Sequence, residues 1–370
     1  MSLRNTEDEP EGAAPPASPL YDDPSGSSAR PVVPFRSLSR RDVAGLLESH
    51  GLRPSAALGQ HFVIDPNTVR RIARLAGVGP GDRVVEIGAG LGSLTLALAE
   101  TGAEVVAVEL DRYLTPVLRS VVEPVGVRVV QGDARTLVWD EVLGPGHGGG
   151  PAETPEHGGP EQGGPEQGGP EHSGPEQGRS AHSGPEQGGP EHRRPGAGVG
   201  RPGGWVLVAN LPYNVATPLV MDLLEGVPAI ARMLVMVQRE VGERLAAGAG
   251  DDAYGAVSVK LAYRARAKVV GRVPATVFLP RPNVESVLVE VVRRPEPAVD
   301  ADPRLLFPLV QAGFAHRRKM LRRSLAGLVA PEAFAAAGVR PEARAEELDI
   351  LTWGKLTECA SRYGTRPPPS

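Results

Sequence analysis

Cysteine is almost absent from this chain of 370 residues, and so are long apolar segments. The one cysteine, Cys359, excludes a disulfide framework and a zinc site built from cysteines. The longest uncharged apolar stretch, from Trp205 to Met221, is interrupted by two asparagines and two prolines, so it does not predict a membrane span. No cationic start followed by an apolar run opens the sequence. We therefore expect a soluble, cytoplasmic, monomeric protein that does not contact a membrane.

Glycine and proline, in contrast, are abundant, at 46 and 38 residues. Residues 144–204 alone contain 21 glycines and 11 prolines, and pentapeptides such as GGPEQ repeat from Gly158 to His192. Because such a segment has almost no apolar side chains to offset the entropy of ordering, it is predicted to be a disordered insert. Residues 1–37, rich in proline, serine and acids, are predicted to be a disordered tail. Five of the eight histidines lie in the insert, but no fixed geometry closes a site there, so no metal is predicted.

Charge is distributed unevenly along the chain. The formal net charge is −4, and the tail and the insert are both acidic. Residues 260–323, by contrast, hold fourteen lysines and arginines against five acids. A positive region of this size predicts a polyanionic partner, although a well-solvated surface would have the same composition.

Strand and helix patterns alternate along the rest of the sequence. Buried strands are predicted at 81–90, 104–111, 127–133 and 205–213, with helices at 68–76, 93–102 and 112–122 between or before them. Residues 233–240 and 257–263 supply further strand and helix material. This alternation predicts an α/β, doubly wound sheet that binds ligands at the carboxyl ends of its strands.

Polar residues and glycines follow the first three predicted strands, at the carboxyl ends where the ligand-binding edge of the sheet is expected. Gly88 begins a glycine turn in which Ser93 replaces the last glycine of the dinucleotide-binding pattern, so a cofactor without a pyrophosphate fits better. Glu109 is placed to accept from ribose hydroxyls, and Asp133 from an adenine amino group. Taken singly, these residues also fit a tight turn, a solvent-facing charge and a helix N-cap. Together they favour a nucleoside cofactor.

The motif Asn210-Leu211-Pro212-Tyr213 follows the fourth strand. The Asn210 carboxamide oxygen can accept from an exocyclic amino group, and the Leu211 or Pro212 carbonyl can be a second acceptor. Two acceptors would favour the developing tetrahedral nitrogen and orient its lone pair towards a methyl donor. Tyr213 offers a face for base stacking. The alternative is a capped turn with a buried tyrosine.

These segments resemble the ribosomal RNA adenine N6-dimethyltransferase family, in particular its small-subunit (16S-type) branch. The resemblance covers about residues 42–363 apart from the insert. It includes the stretches LGQHFVID, VVEIGAGLGSLTLAL, VVAVELD, QGDA, ANLPYNVATPLV, VFLPRPNVESVLVEV and AGFAHRRKMLRRSLAG. The resemblance implies a Rossmann-like class I methyltransferase sheet and S-adenosylmethionine as cofactor. It also implies transfer of methyl groups to two adjacent adenosines near the 3′ end of small-subunit rRNA within the pre-30S particle.

The resemblance also implies roles for individual residues. The cofactor would be bound by His61, Val63, Gly88, Glu109, Asp133 and Asn210. The catalytic set would be Asn210, Leu211, Pro212, Tyr213 and Phe278, with Tyr213 and Phe278 enclosing a flipped adenine. One departure stands out, because the family usually has asparagine where this chain has His61.

A basic helical domain is expected at residues 295–370, after a methyltransferase domain at 38–294 that the insert interrupts. Residues 316–325 are predicted to form two helical turns that carry basic, RNA-binding side chains. These are Arg317, Arg318, Lys319, Arg322 and Arg323. The alternative is a solvated helix face.

Three other functions remain open. A large-subunit (23S) rRNA methyltransferase of the macrolide-resistance type shares the Asn210–Tyr213 motif but generally lacks the basic pattern at residues 316–325. A ribosomal assembly factor with secondary catalysis is the second. DNA adenine methylation is disfavoured, because such enzymes commonly carry a D/N-P-P-Y motif and a target-recognition domain.

Overall fold

The computed structural model of this chain describes residues 37–55, 57–144, 204–316 and 318–363. The predicted disordered tail, up to residue 36, and almost all of the predicted insert, 145–203, lie outside the described residues, as does Arg317.

Short strands and helices alternate through most of the described chain. The strands are β1 (Phe62–Val63), β2 (Arg83–Ile87), β3 (Glu104–Glu109), β4 (Arg128–Gln131), β5 (Trp205–Asn210), β6 (Ile230–Gln238), β7 (Ala265–Val273), β8 (Phe278–Leu279) and β9 (Ser286–Arg293). The α-helices are α1 (Arg40–Ser49), α2 (Pro66–Ala76), α3 (Ser93–Ala99), α4 (Thr115–Val122), α5 (Trp139–Leu143), α6 (Ala216–Gly226), α7 (Arg239–Ala246), α8 (Ala256–Arg264), α9 (Pro303–Ala315), α10 (Leu321–Ser324), α11 (Pro331–Ala337) and α12 (Ile350–Arg362).

The main sheet has seven strands in the order β4-β3-β2-β5-β6-β9-β7. The first five are parallel, whereas β9 runs antiparallel to both of its neighbours. Chain order reverses between β2 and β5, and in open α/β sheets ligands bind beyond the carboxyl ends of the strands at such a point. The predicted doubly wound α/β sheet is therefore confirmed.

Adjacent strand residues face opposite sides of the sheet, and both sides are covered. Val84 packs in a core with α2, α3 and α4, whereas Val85 packs in a second core with α6, α7 and α8. The strands in the centre of the sheet are thus mostly apolar on both faces, as expected for parallel strands that are buried on both sides, with Glu86 of β2 as a buried exception.

The predicted helix at 68–76 illustrates how local sequence sets an element. Asp65 caps its start by accepting a hydrogen bond from the Thr68 backbone N–H at 3.0 Å. Pro66 occupies the first turn, where no N–H is required, and Gly77 ends the helix with a left-handed φ of 58°.

The C-terminal helices share a core that extends beyond them. Residues from α9, α11 and α12 pack with Val259 and Tyr263 of α8. The predicted boundary between a methyltransferase domain and a C-terminal helical domain, at residues 294 and 295, remains a prediction. None of the helices in the described ranges is long and apolar enough to cross a membrane.

The prediction of two continuous helical turns at residues 316–325 is wrong. Helix α9 ends at Ala315, and α10 begins only at Leu321. The backbone N–H of Leu321 donates to the Ala343 carbonyl at 2.8 Å instead of continuing the preceding helix. Pairing with the 341–343 segment therefore replaces the local helical hydrogen bonds.

Candidate functional site

A pocket opens at the carboxyl ends of β2, β3 and β5, and the chain segments 58–63 and 132–135 complete its wall. Every predicted cofactor residue lines it, and two residues of the predicted catalytic set do so as well, Asn210 being in both sets. These residues are His61, Val63, Gly88, Glu109, Asp133, Asn210 and Pro212. Residues that are far apart in sequence are thus brought to one edge of the sheet.

Glu109 connects the end of β3 to the glycine turn after β2. Its Oε2 accepts from the Gly90 backbone N–H at 2.7 Å, and its Oε1 accepts from the Asp111 N–H at 2.9 Å. Gly90 has a φ of 59°, and a Cβ there would lie 3.0 Å from the Phe62 ring. Burial raises the pKa of Glu109, and the backbone N–H donors oppose that rise. Because a carboxylate has about four acceptor positions, Glu109 can still accept from two ribose hydroxyls.

Asp133 is exposed at the pocket rim. Its Oδ1 accepts from the Arg135 backbone N–H at 2.9 Å, which forms a local turn of the kind expected for an aspartate after a strand. The other carboxylate oxygen has no hydrogen-bond partner in the described parts of the chain. The structural role considered for this residue therefore coexists with a free acceptor at the pocket.

Glu86 is a residue that the sequence reasoning missed. It lies within β2, is 2% exposed, and lines the pocket. Among the described residues, neither its Oε2 nor the hydroxyl of Thr95 has a hydrogen-bond partner at bonding distance, although the nearby Thr95 hydroxyl opposes the rise in the Glu86 pKa. Burial raises the pKa of Glu86 to about 8, and the nearby charge of Glu109 adds to the rise. An acid inside an otherwise apolar strand was the available sequence signal.

The Asn210 side chain has a fixed orientation. Its Nδ2 donates to the backbone carbonyl of His61 at 2.8 Å. Since a carbonyl oxygen can only accept, this contact identifies the amino side of the amide and leaves Oδ1 as the acceptor. Pro212 packs closely against Gly59, in the segment just before His61. A Cβ at position 59 would lie only 3.2 Å from the Pro212 Cβ.

The backbone after Asn210 distinguishes the two carbonyls that the sequence left open. The Pro212 carbonyl already accepts from the Val215 N–H at 3.2 Å, whereas the Leu211 carbonyl has no such partner among the residues described. Leu211 as a whole residue, backbone included, is 1% exposed and is not among the residues that line the pocket, whereas Pro212 is. The Leu211 carbonyl is thus unpaired among the described residues but buried, and the Pro212 carbonyl lies at the pocket but is already bonded, so both stay candidates for the second acceptor.

Phe278 does not have the predicted position. It is 1% exposed and packs in the core with residues of α2 and α3, because β8 pairs with β1 and places Phe278 opposite Val63. Its ring is therefore enclosed by the core in this structure and offers no exposed face on which an adenine could stack opposite Tyr213. The ring that contacts Tyr213 is the imidazole of His61.

The basic residues of the positive region, residues 260–323, include both partly buried and exposed side chains. Arg293 is partly buried and donates to the carbonyls of Leu223, Leu224, Val227 and Ile230, so its role is structural. By contrast, four of the five basic residues predicted to bind RNA are exposed, around the turn between α9 and α10. They are Arg318, Lys319, Arg322 and Arg323. Arg322 also pairs with Glu342 at 3.3 Å.

The fold and the pocket together define the class of Rossmann-like methyltransferases. The crystal structure of the 23S rRNA methyltransferase ErmE has a TM-score of 0.53 and 22% identity, and the match covers 81% of this chain and 99% of that one. A dimethyladenosine transferase from Plasmodium falciparum has a TM-score of 0.53 and 19% identity, with 80% and 96% covered. At these identities the likeness concerns the fold alone.

Sequence comparison identifies the family within this class. Residues 52–141 and 204–361 match the family described as ribosomal RNA adenine dimethylase. Ribosomal RNA small subunit methyltransferase A from Cutibacterium acnes is 41% identical over 337 residues, which are 88% of this chain and 95% of that protein. The chain belongs to the ribosomal RNA adenine dimethylase family, whose members use S-adenosylmethionine as methyl donor.

Proposed function

We propose that this chain transfers methyl groups from S-adenosylmethionine to N6 of two adjacent adenosines near the 3′ end of small-subunit (16S) rRNA. The product would be dimethyladenosines formed during ribosome biogenesis. The observation that carries the proposal is the orientation of Asn210, whose Nδ2 is occupied by the His61 carbonyl and whose Oδ1 is therefore the acceptor. The similarity to a small-subunit enzyme over most of the chain supports the choice of RNA.

The pocket fits the cofactor by the chemistry of its donors and acceptors. The buried Glu86 Oε2, without a partner, suits the positive charge of S-adenosylmethionine. Glu109 retains acceptor capacity for ribose hydroxyls, and Asp133 presents an acceptor at the rim for the adenine amino group. When bound, the cofactor would supply a methyl group bonded to a positively charged sulfonium sulfur, and the neutral thioether that remains after transfer is a good leaving group.

The chain's own residues would act on the target amine by position and electrostatics. Asn210 Oδ1 and the Leu211 or Pro212 carbonyl would each accept one N6 hydrogen, which favours a tetrahedral nitrogen with its lone pair free to attack. Tyr213 would stack on the extruded base. No strong base is required, since the proton leaves after the nitrogen has become positively charged.

The exposed bases around the α9–α10 turn would contact phosphates of the RNA and orient it. We place them in a C-terminal RNA-binding unit of residues 295–370. The proposed setting is the pre-30S particle in the cytoplasm, with the enzyme acting as a monomer.

A methyl-transfer assay with labelled S-adenosylmethionine tests the proposal. The substrates are small subunits that lack the modification, large-subunit rRNA and duplex DNA, and digestion identifies the modified nucleoside. We expect N6,N6-dimethyladenosine on small-subunit RNA alone. Product on large-subunit RNA would indicate the resistance-type activity instead. Cofactor binding without transfer to any substrate would favour the assembly-factor function.

A further inference from the structure

His61 connects three separate parts of the site. Its backbone carbonyl accepts from Asn210, and its ring Nδ1 lies 2.8 Å from the carbonyl oxygen of Pro280. Its imidazole also stacks on the Tyr213 ring, with centroids 5.5 Å apart and planes inclined by 26°. The segment before β1, the loop after β5 and the loop after β8 therefore meet at this one residue.

The contact with Pro280 fixes the His61 ring. A carbonyl oxygen only accepts, so Nδ1 must carry a proton and donate it. The donor bond sets both the tautomer of the neutral ring and the direction of the ring plane. The face that His61 presents to Tyr213 is consequently held from behind by the loop at Pro280.

Tyr213 is restrained in two ways. The His61 imidazole covers one face of its ring, and the Tyr213 hydroxyl lies 3.1 Å from the Ser286 hydroxyl at the start of β9. Ser286 is 1% exposed, so this second restraint belongs to the rigid sheet. A base between His61 and Tyr213 would need centroids about 7 Å apart, twice a ~3.5 Å contact distance, and 5.5 Å leaves no room for one. The target base is left with the other face of Tyr213.

We propose that the His61 side chain is a positioning residue that holds the Tyr213 ring for the target adenine, rather than a ligand of the cofactor. The inference rests on the proposed function and changes the role expected of this residue. The aromatic support behind Tyr213 comes from the position where the resembling family usually has asparagine, which has no ring. Among the described residues, the ring contact of Tyr213 is with His61 and not with Phe278.

Three substitutions separate the contacts of the His61 side chain, and all of them keep its backbone carbonyl and so the bond from Asn210. His61→Phe keeps a ring without the Nδ1 donor, His61→Asn keeps a polar side chain without a ring, and His61→Ala removes both. The measurements are the cofactor Kd by titration calorimetry and kcat and KM with small-subunit RNA. Stacking lost from a substrate that is held equally before and during reaction raises KM rather than lowering kcat.

We expect His61→Ala and His61→Asn to raise the RNA KM about tenfold, and His61→Phe to stay within about threefold of the wild type. The cofactor Kd should change less than about twofold in all three, because the side chain does not bind it. A weakened cofactor Kd with an unchanged RNA KM would overturn the proposal in favour of cofactor binding. Equal KM increases in the phenylalanine and alanine variants would overturn it as well, and so would no change in any variant.

A double-mutant cycle tests whether His61 acts through Tyr213. In a Tyr213→Ala background, His61→Ala should leave RNA affinity unchanged, because there is no ring left to hold. Additive losses in the double variant would contradict the positioning role. Failure of the proposed function itself is distinguishable, since it would appear in the wild-type chain as the absence of transfer to small-subunit RNA.

Discussion

At the scale of single residues, the chemistry of the site depends on a few oxygen atoms whose partners are known. Asn210 Oδ1 is the acceptor because Nδ2 is already bonded to His61. Glu86 Oε2 is buried and has no hydrogen-bond partner among the described residues. Both carboxylate oxygens of Glu109 accept hydrogen bonds from backbone N–H groups. The side chains that we propose to bind a ligand are therefore the ones that the fold has oriented or left unpaired.

Replacing Asn210 by alanine should abolish transfer while leaving cofactor binding largely intact. Removal of an acceptor that acts mainly in the transition state costs about 10²–10³-fold in kcat. Single-turnover transfer and a separate cofactor titration measure the two effects. Asn214→Ala, in the exposed continuation of the same loop, is the matched control and should retain activity. Equal losses of transfer and of cofactor affinity in Asn210→Ala would contradict its assigned role.

We expect Glu86 to make cofactor binding and stability depend on pH. Its pKa of about 8 in the folded chain exceeds the ordinary 4.5, so between these values the folded state holds a proton that the unfolded state has lost. Without cofactor, the free energy of unfolding should therefore fall as pH rises from about 4.5 through 8. The positive charge of S-adenosylmethionine favours the ionised carboxylate, so its affinity should rise with pH over the same window.

Titration calorimetry at pH 7 in buffers of different ionisation enthalpy measures the proton released on cofactor binding. The wild type should release a larger fraction of a proton than Glu86→Gln, and the glutamine variant should lose most of the pH dependence of affinity. Glu104→Gln, at the exposed start of β3, is the control and should behave like the wild type. Identical proton release in wild type and Glu86→Gln would refute the assignment.

At the scale of elements, long-range contacts decide which basic residues support the fold and which are available to RNA. Arg293 at the end of β9 donates to four carbonyls near the end of α6 and the start of β6. Arg318 and Lys319, in contrast, lie exposed in the turn that separates α9 from α10. Sequence composition counts all of these bases alike.

Replacing Arg293 by methionine should destabilise the protein, because it leaves carbonyls at the end of α6 without their donor. We expect a loss of about 3 kcal/mol in the free energy of unfolding. Urea denaturation should show a lower midpoint with an unchanged slope. The exposed Arg266, on edge strand β7, provides the control, since its replacement by methionine should change the midpoint little. Equal midpoints for the two variants would exclude the structural role.

Replacing Arg318 and Lys319 together by alanine should weaken binding to small-subunit RNA. If each of these two basic side chains contacts one phosphate, the slope of the log binding constant against the log salt concentration should become shallower by about one unit for each side chain removed. Arg340 and Arg344, exposed bases paired with Glu347 and Glu346, form a charge-matched control pair. A salt dependence that changes equally in both double variants would indicate a general charge effect and not a specific contact.

At the scale of the whole molecule, two halves of one sheet are joined across a long insertion in the sequence. Helix α5 ends at Leu143 and β5 begins at Trp205, yet β5 pairs with β2 in the centre of the sheet. The family match is interrupted in the same place, between residues 141 and 204. The sequence between these two points is thus additional to the matched fold.

Replacing residues 146–202 by a short glycine-serine linker should leave methyl transfer nearly intact. The pocket residues described lie outside this segment, and its composition offers few apolar groups for a core. Turnover on small subunits and thermal unfolding are the measurements, with linkers of two lengths as the control for strain at the junction. A large loss of turnover with both linkers, at unchanged stability, would show that the segment takes part in the reaction.

The sequence alone was sufficient for four central strands and the helices between them, and for the expectation that the site lies at one edge of the sheet, but not for β1, β7, β8 and β9. The reason is that strand burial, helix caps such as Asp65 and the motif at Asn210 are local patterns that survive in the folded chain. Because parallel strands end at a common edge, polar residues after several strands could be expected to meet.

Only the tertiary structure decided the partners of those residues. Phe278 is buried because β8 pairs with β1, more than two hundred positions earlier, and α10 starts late because Leu321 bonds to Ala343. The unpaired oxygen of Glu86 and the stacking of His61 on Tyr213 likewise depend on groups from different elements. Such contacts involve residues that are distant in sequence, so no local pattern specifies them, and packing determines which polar atoms are satisfied and which are left for a ligand.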